Sequence, residues 1–227
     1  MSHQFLVVGL GRLGIAMVGT LDSLGHEVLA VDAKEGLIQA LANDMPNVHF
    51  VAADATDEDV LLGLNVQDFD AAAVVIGENH VEAGILTTAN LKEIGLPLIV
   101  ARATSKLHAR VLERVGADRI IQPELEMGEQ AARVLASPGM LDYVDLGENE
   151  ALIEARVPSQ WVDKSLAELA LSRSLGLTVV ALKPREGEGK LPRGDTVLRE
   201  GDVIVVGGTK KRLDASPLSG RPPGRRR

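Results

Sequence analysis

Six residues near the start, Gly9-Leu10-Gly11-Arg12-Leu13-Gly14, constrain this chain more than any other feature. They follow a short apolar run, Gln4–Gly9, and open a segment whose apolar residues (Leu13, Met17, Leu21, Leu24) recur at helical spacing. In that setting a GxGxxG loop hands a strand over to a helix. Its first glycine permits a tight turn, its second lets a pyrophosphate approach the backbone, and its third lets helix and strand pack closely. The helix N-terminus offers N–H donors and the positive end of a dipole. Asp32 ends the next β-branched run, Glu27–Val31, where a carboxylate can accept both hydroxyls of a ribose. The bland alternative is an ordinary turn, with Asp32 capping the following helix.

The alternation continues. Lys34–Ala42 reads as a helix, Val48–Ala52 as a strand, and Asp57–Leu62 as a helix with Thr56 at its N-cap. Ala72–Ile76 is apolar throughout, as expected of a parallel strand covered on both faces. Asn79–Ile94 reads as a long helix stopped by Gly95, and Leu98–Ala101, Ser105–Val115 and Arg119–Ile121 add strand, helix and strand. The expected fold is α/β, a Rossmann-like doubly wound parallel sheet. A helix at Glu124–Ala136 ends at Ser137-Pro138-Gly139, so the first domain is placed at 1–138. Strands at Ala151–Val157, Leu177–Leu182 and Val203–Val206, with a helix at Lys164–Leu171, make a smaller α+β domain over 139–213. The end, 214–227, reads as a disordered basic tail rich in Pro, Gly, Ser and Arg.

Charge narrows the function classes. The chain carries 24 basic and 32 acidic residues, and seven of the basic ones lie at or beyond Lys210. The preceding body is therefore strongly acidic and, with five aromatic residues in all, a poor nucleic-acid platform. The apolar runs are too short to span a bilayer, and Met1-Ser2-His3-Gln4 lacks the layout of a secretory signal. Cysteine is absent, which removes thiolate chemistry. All five histidines precede residue 109, so the second domain has none to act as acid or base; His80 and His108 are expected on helix surfaces. No G-x-S-x-G, HExxH or Walker loop is present, and the expectation is a protein that is not an enzyme.

Arg12 is unusual beside a phosphate cradle, and its guanidinium suits a terminal di- or triphosphate. Arg102, at the end of the fifth strand, is a second phosphate candidate; for each arginine the alternative is a surface salt bridge. Glu124 and Glu126 open the helix after Pro123, where acids also suit the helix dipole.

Gly9–Gly14, Val31-Asp32, Ala53-Asp54-Ala55-Thr56 and Gly116–Glu124 with Met127-Gly128 resemble the RCK (regulator of potassium conductance) domain family. Leu191–Asp195 and Gly201–Gly207 resemble its C-terminal subdomain, so the likeness covers about residues 4–212, closest to the single-RCK KtrA type and related to TrkA. The resemblance implies a cytoplasmic, nucleotide-sensing regulatory subunit of a potassium uptake system. It implies homodimers assembled into an octameric ring on the inner face of the membrane, docked to a potassium-translocating subunit (KtrB/TrkH-like). ATP and ADP would share the Rossmann cleft, with NAD/NADH as the alternative ligand and an NAD(P)-dependent oxidoreductase as the competing class. Nucleotide contacts then fall on Gly9, Leu10, Gly11, Arg12, Leu13, Gly14, Asp32, Asp54, Ala55, Gly77, Glu78 and Arg102. By the same resemblance Glu124 would help hold Mg²⁺ or Ca²⁺ between facing nucleotides, and cyclic di-AMP would be a ligand of the C-terminal domain.

Overall fold

The computed structural model describes residues 2–219. In β1 (Gln4–Val8), successive side chains go to opposite faces: Leu6 and Val8 enter one apolar cluster and Val7 another, each at most 2% exposed. After α1 (Arg12–Ser23), β2 (Glu27–Asp32) repeats the division, with Leu29 and Val31 on the first face and Val28 and Ala30 on the second. The chain continues through α2 (Glu35–Asp44), β3 (His49–Ala52), α3 (Glu58–Gly63) and β4 (Ala71–Val74). It then runs through α4 (Val81–Ile94), β5 (Ile99–Arg102), α5 (Lys106–Arg114) and β6 (Arg119–Ile121). The strands form one parallel sheet, as the apolar runs predicted, and its order is β3-β2-β1-β4-β5-β6. The order reverses at β1, and a crevice opens there beyond the strand ends.

Three local expectations are corrected. Asp57, not Thr56, caps α3: its carboxylate accepts the N–H groups of Asp59 at 3.0 Å and Val60 at 3.4 Å. Thr56 is taken up instead by Asp54, through both its N–H and its hydroxyl. His108 is not a surface residue but is 7% exposed, because it shares a face of α5 with the buried Leu112 four residues on. Its Nδ1 accepts the Thr104 N–H at 3.2 Å, and burial pushes its pKa down. Finally, Glu78–His80 is a separate 3₁₀ turn ahead of α4; Gly95 does end the helix, at φ +101°.

The two compact units divide after Glu124, at the start of α6 (Pro123–Ala136) rather than at its end. The reason is that α6 works for the second unit. Val134 packs on that unit's core, Gln130 hydrogen-bonds Asp142, and the Arg133 guanidinium lies 4.4 Å from the Tyr143 ring centre.

The second unit contains β7 (Met140–Asp145), β8 (Glu150–Arg156), α7 (Leu166–Leu169), α8 (Leu171–Ser174), β9 (Thr178–Lys183), β10 (Val203–Thr209) and α9 (Lys210–Asp214). Its four strands form an antiparallel sheet ordered β7-β8-β10-β9. The sequence did not reveal β7, because an irregularity between Met140 and Asp142 interrupts its period of two. The helix expected over Lys164–Leu171 is two short ones, broken where Ala170 turns left-handed at φ +43°. The tail expectation is also corrected in part. Asp214 closes α9, and Ser216, Leu218 and Ser219 are at most 4% exposed because Leu218 joins the second core. Residues 220–227 of that tail lie outside the described residues.

Candidate nucleotide cleft

The glycine loop adopts the conformation its sequence demands. Gly9 has φ +96°, and a Cβ there would stand 2.8 Å from the backbone nitrogen of Ile76. A Cβ on Gly14 would collide with the carbonyl oxygen of Gly9, so helix and loop pack as closely as two backbones allow. Gly11, at the N-cap of α1, faces open space within 4 Å and leaves the helix N-terminus accessible to a phosphate.

Asp32 is more deeply engaged than its place at a strand end suggested. One carboxylate oxygen accepts the Leu10 N–H at 2.7 Å, and the other accepts the Lys34 N–H at 3.0 Å. Each oxygen keeps a further lone pair for another donor. Across the crevice, Asp54 is held by Thr56, whose hydroxyl bond first and N–H bond second lower the Asp54 pKa. The same turn is tied to α4, since the Asn90 amide donates to the Thr56 carbonyl at 2.9 Å.

These groups line a cavity of about 740 Å³, within the range for small-molecule sites. Of the residues expected in the site, Gly9, Leu10, Gly11, Asp32, Asp54, Ala55 and Gly77 border it. Leu13, Gly14 and Glu78 do not; Gly14 serves by packing beneath the loop. Arg12 is exposed in the first turn of α1, with no ion-pair partner among the described residues. Arg102 and Glu124 are off the cavity wall and pair with each other, Nη2 to Oε1 at 2.7 Å. The Arg102 side chain is 13% exposed and its Nε has no hydrogen-bond partner among the described residues. The salt-bridge alternative for Arg102 therefore describes the unliganded chain.

Lys34, Asn79 and Thr87 also line the cavity and were not singled out from sequence; His80, expected only as a surface residue, lines it too. Thr87 is fully buried on α4 and its hydroxyl has no hydrogen-bond partner among the described residues, whereas the neighbouring Thr88 bonds back to the Gly84 carbonyl at 2.7 Å. Two adjacent threonines in a long helix were the only available signal. A second cavity, about 440 Å³, lies within the second unit beside Ala170, Arg173 and Thr178.

Residues 5–123 match the TrkA-N domain and residues 152–215 the TrkA-C domain, which defines the class. The chain is 38% identical to the Ktr system potassium uptake protein A of Bacillus subtilis, over 92% of this chain and 93% of that one. It is 36% identical to the protein of the same name from Vibrio alginolyticus, over 93% and 95% of the two chains. The chain belongs to this Ktr potassium uptake protein family. Among solved structures, the GsuK RCK domain superposes over 98% of this chain with a TM-score of 0.71 at 21% identity. The GsuK channel bound to NAD gives 0.70 at 20% identity. This chain spans 49% of the first and 40% of the second, and these two likenesses bear on the fold alone.

Proposed function

We propose that this chain is the nucleotide-sensing regulatory subunit of a potassium uptake system, binding ATP and ADP in the crevice at β1. The observation that carries the reading is the open helix N-terminus at Gly11 beside a carboxylate already oriented on the same loop. The family membership supplies the potassium uptake context. In this reading phosphates sit on the loop with Arg12 at the terminal one, the ribose reaches Asp32, and the base lies by Asp54 and Ala55. Binding changes the conformation presented to a membrane potassium-translocating subunit, and the nucleotide is not turned over. The reading places the protein in the cytoplasm at the inner face of the membrane; no helix among the described residues is long and apolar enough to cross one. An octameric ring of dimers completes it by family resemblance. Cyclic di-AMP is assigned to the second unit, where Arg173 gives the smaller cavity a cation for a phosphate.

The finer part of this reading is a divalent cation, Mg²⁺ or Ca²⁺, held by Glu124 together with phosphate oxygens between facing nucleotides of a dimer. In the chain by itself the Glu124 carboxylate is paired with Arg102.

Calorimetric titration with ATP, ADP and NADH tests the assignment. Micromolar or tighter binding of both adenine nucleotides, without multiple turnover, is expected. Asp32 suits the ribose of either ligand class, so NADH bound far more tightly than ATP would reassign the cleft to NAD(H). A substrate-dependent change in nicotinamide absorbance would make the chain an oxidoreductase.

A further inference from the structure

We infer that Asp32 is a positioning residue for the phosphate loop, a role separate from contact with a ribose. Its carboxylate joins the two walls of the crevice: the glycine loop through the Leu10 N–H at 2.7 Å, and the β2–α2 turn through the Lys34 N–H at 3.0 Å. Leu10 and Lys34 both border the cavity. The loop is thus moored to the end of β2 by two successive donors, since the Gly9 N–H donates to the Val31 carbonyl at 2.9 Å. The first of these is backbone to backbone and does not depend on the Asp32 side chain. The second exists only through the Asp32 side chain, and it lies immediately before Gly11 and the helix N-terminus. Leu10 as a whole is 1% exposed, so its amide sits at a buried position, where a donor left without a partner is unfavourable. Losing the carboxylate should therefore let the loop shift, and with it the donors meant for phosphate.

The chemistry of an amide separates this role from the ribose contact. A carboxylate only accepts, whereas asparagine presents one acceptor and one donor. Facing two backbone N–H groups, Asp32→Asn must break one of the two bonds whichever way it turns. Its other effect, removal of a negative charge near the phosphates, acts in the opposite direction and favours an anionic ligand. Weaker binding of a ligand that lacks ribose hydroxyls can then come only from the loop.

The inference rests on the nucleotide reading for its ligand arm, and its test has a second arm that does not. The ligand arm measures the affinity of ATP and of 2′,3′-dideoxy-ATP for the wild type and for Asp32→Asn. The variant should bind dideoxy-ATP about tenfold more weakly than the wild type, the scale of a lost hydrogen bond to a charged group. Equal or tighter binding of dideoxy-ATP by the variant overturns the proposal. The second arm is amide exchange by NMR without ligand. The Leu10 and Lys34 amides should exchange faster in the variant while those of Leu6, Val7 and Val8 keep their protection. Unchanged exchange at Leu10 and Lys34, or faster exchange throughout the sheet, overturns the positioning role. A wild type that binds no ATP would sink the nucleotide reading alone, because the exchange arm still decides what Asp32 does.

Discussion

The two units bury their sheets in opposite ways. The first covers a parallel sheet on both faces, so β1, β2 and β4 divide their apolar residues between two clusters. The second hides mainly one face of an antiparallel sheet: β8 buries Ala151, Ile153 and Ala155 and turns the alternate residues outward. The difference decides where each unit can bind. A sheet closed on both faces leaves only its strand ends, and the glycine loop and Asp32 stand there. The second unit presents its cavity at short helices beside a strand, among Ala170, Arg173 and Thr178. Core packing and ligand chemistry should accordingly separate by unit when each is perturbed.

The largest effect should come from the second core. Ile153 is fully buried, and Ile153→Ala should destabilise that unit by about 2–5 kcal/mol. Thermal unfolding with and without ATP would show the second unit melting earlier while ATP still protects the first. Loss of that protection would break the comparison. Next, Gly14→Ala places a methyl group against the Gly9 carbonyl and should destabilise the first unit by about 1–3 kcal/mol, as overpacking does. ATP binding should disappear with it, and the second unit's melting should not move.

A smaller, ligand-specific effect is expected at Arg12. Because its guanidinium is exposed, Arg12→Ala should weaken ATP by about 1 kcal/mol and ADP by less, with stability unchanged. Equal losses in titration would show that Arg12 does not reach the terminal phosphate.

The smallest effect is that of acid. The Lys92 ammonium first, and the Ile99 N–H second, hold the Asp118 carboxyl below its ordinary value of 3.8. A depressed folded pKa means that stability is fully present above the unfolded value and is lost as pH falls through the folded one. The first unit should therefore weaken below about pH 4, and Asp118→Asn should flatten that part of the profile. In the second unit Glu168 behaves alike, lowered first by the Ser165 N–H and then by its hydroxyl. Denaturant midpoints between pH 3 and 5 would register both.

How much could be read in advance follows the same division. In the first unit an apolar run means a covered parallel strand, and all six strands were placed. In the second, the irregularity in β7 and the left-handed Ala170 disturb the very periods that sequence reading depends on. The first half of the site was legible as well: Gly9, Gly11 and Asp32 stand where the loop pattern put them. Thr87 on α4, and Asn79 and His80 in the turn before it, were not legible as site residues, because both segments reach the cavity only through the packing of β4 beside β1.

The sequence by itself determined the strand–helix alternation, the loop's backbone conformation and the family. These are local properties, written in the spacing of apolar residues and in glycines whose Cβ has no room. Only the tertiary structure decided what the charged groups do. Asp32 reaches Leu10, and Arg102 reaches Glu124, each across 22 residues of chain. Those pairings exist because β2 lies beside β1 and β6 beside β5, and strand order is a property of the assembled sheet that no local spacing encodes.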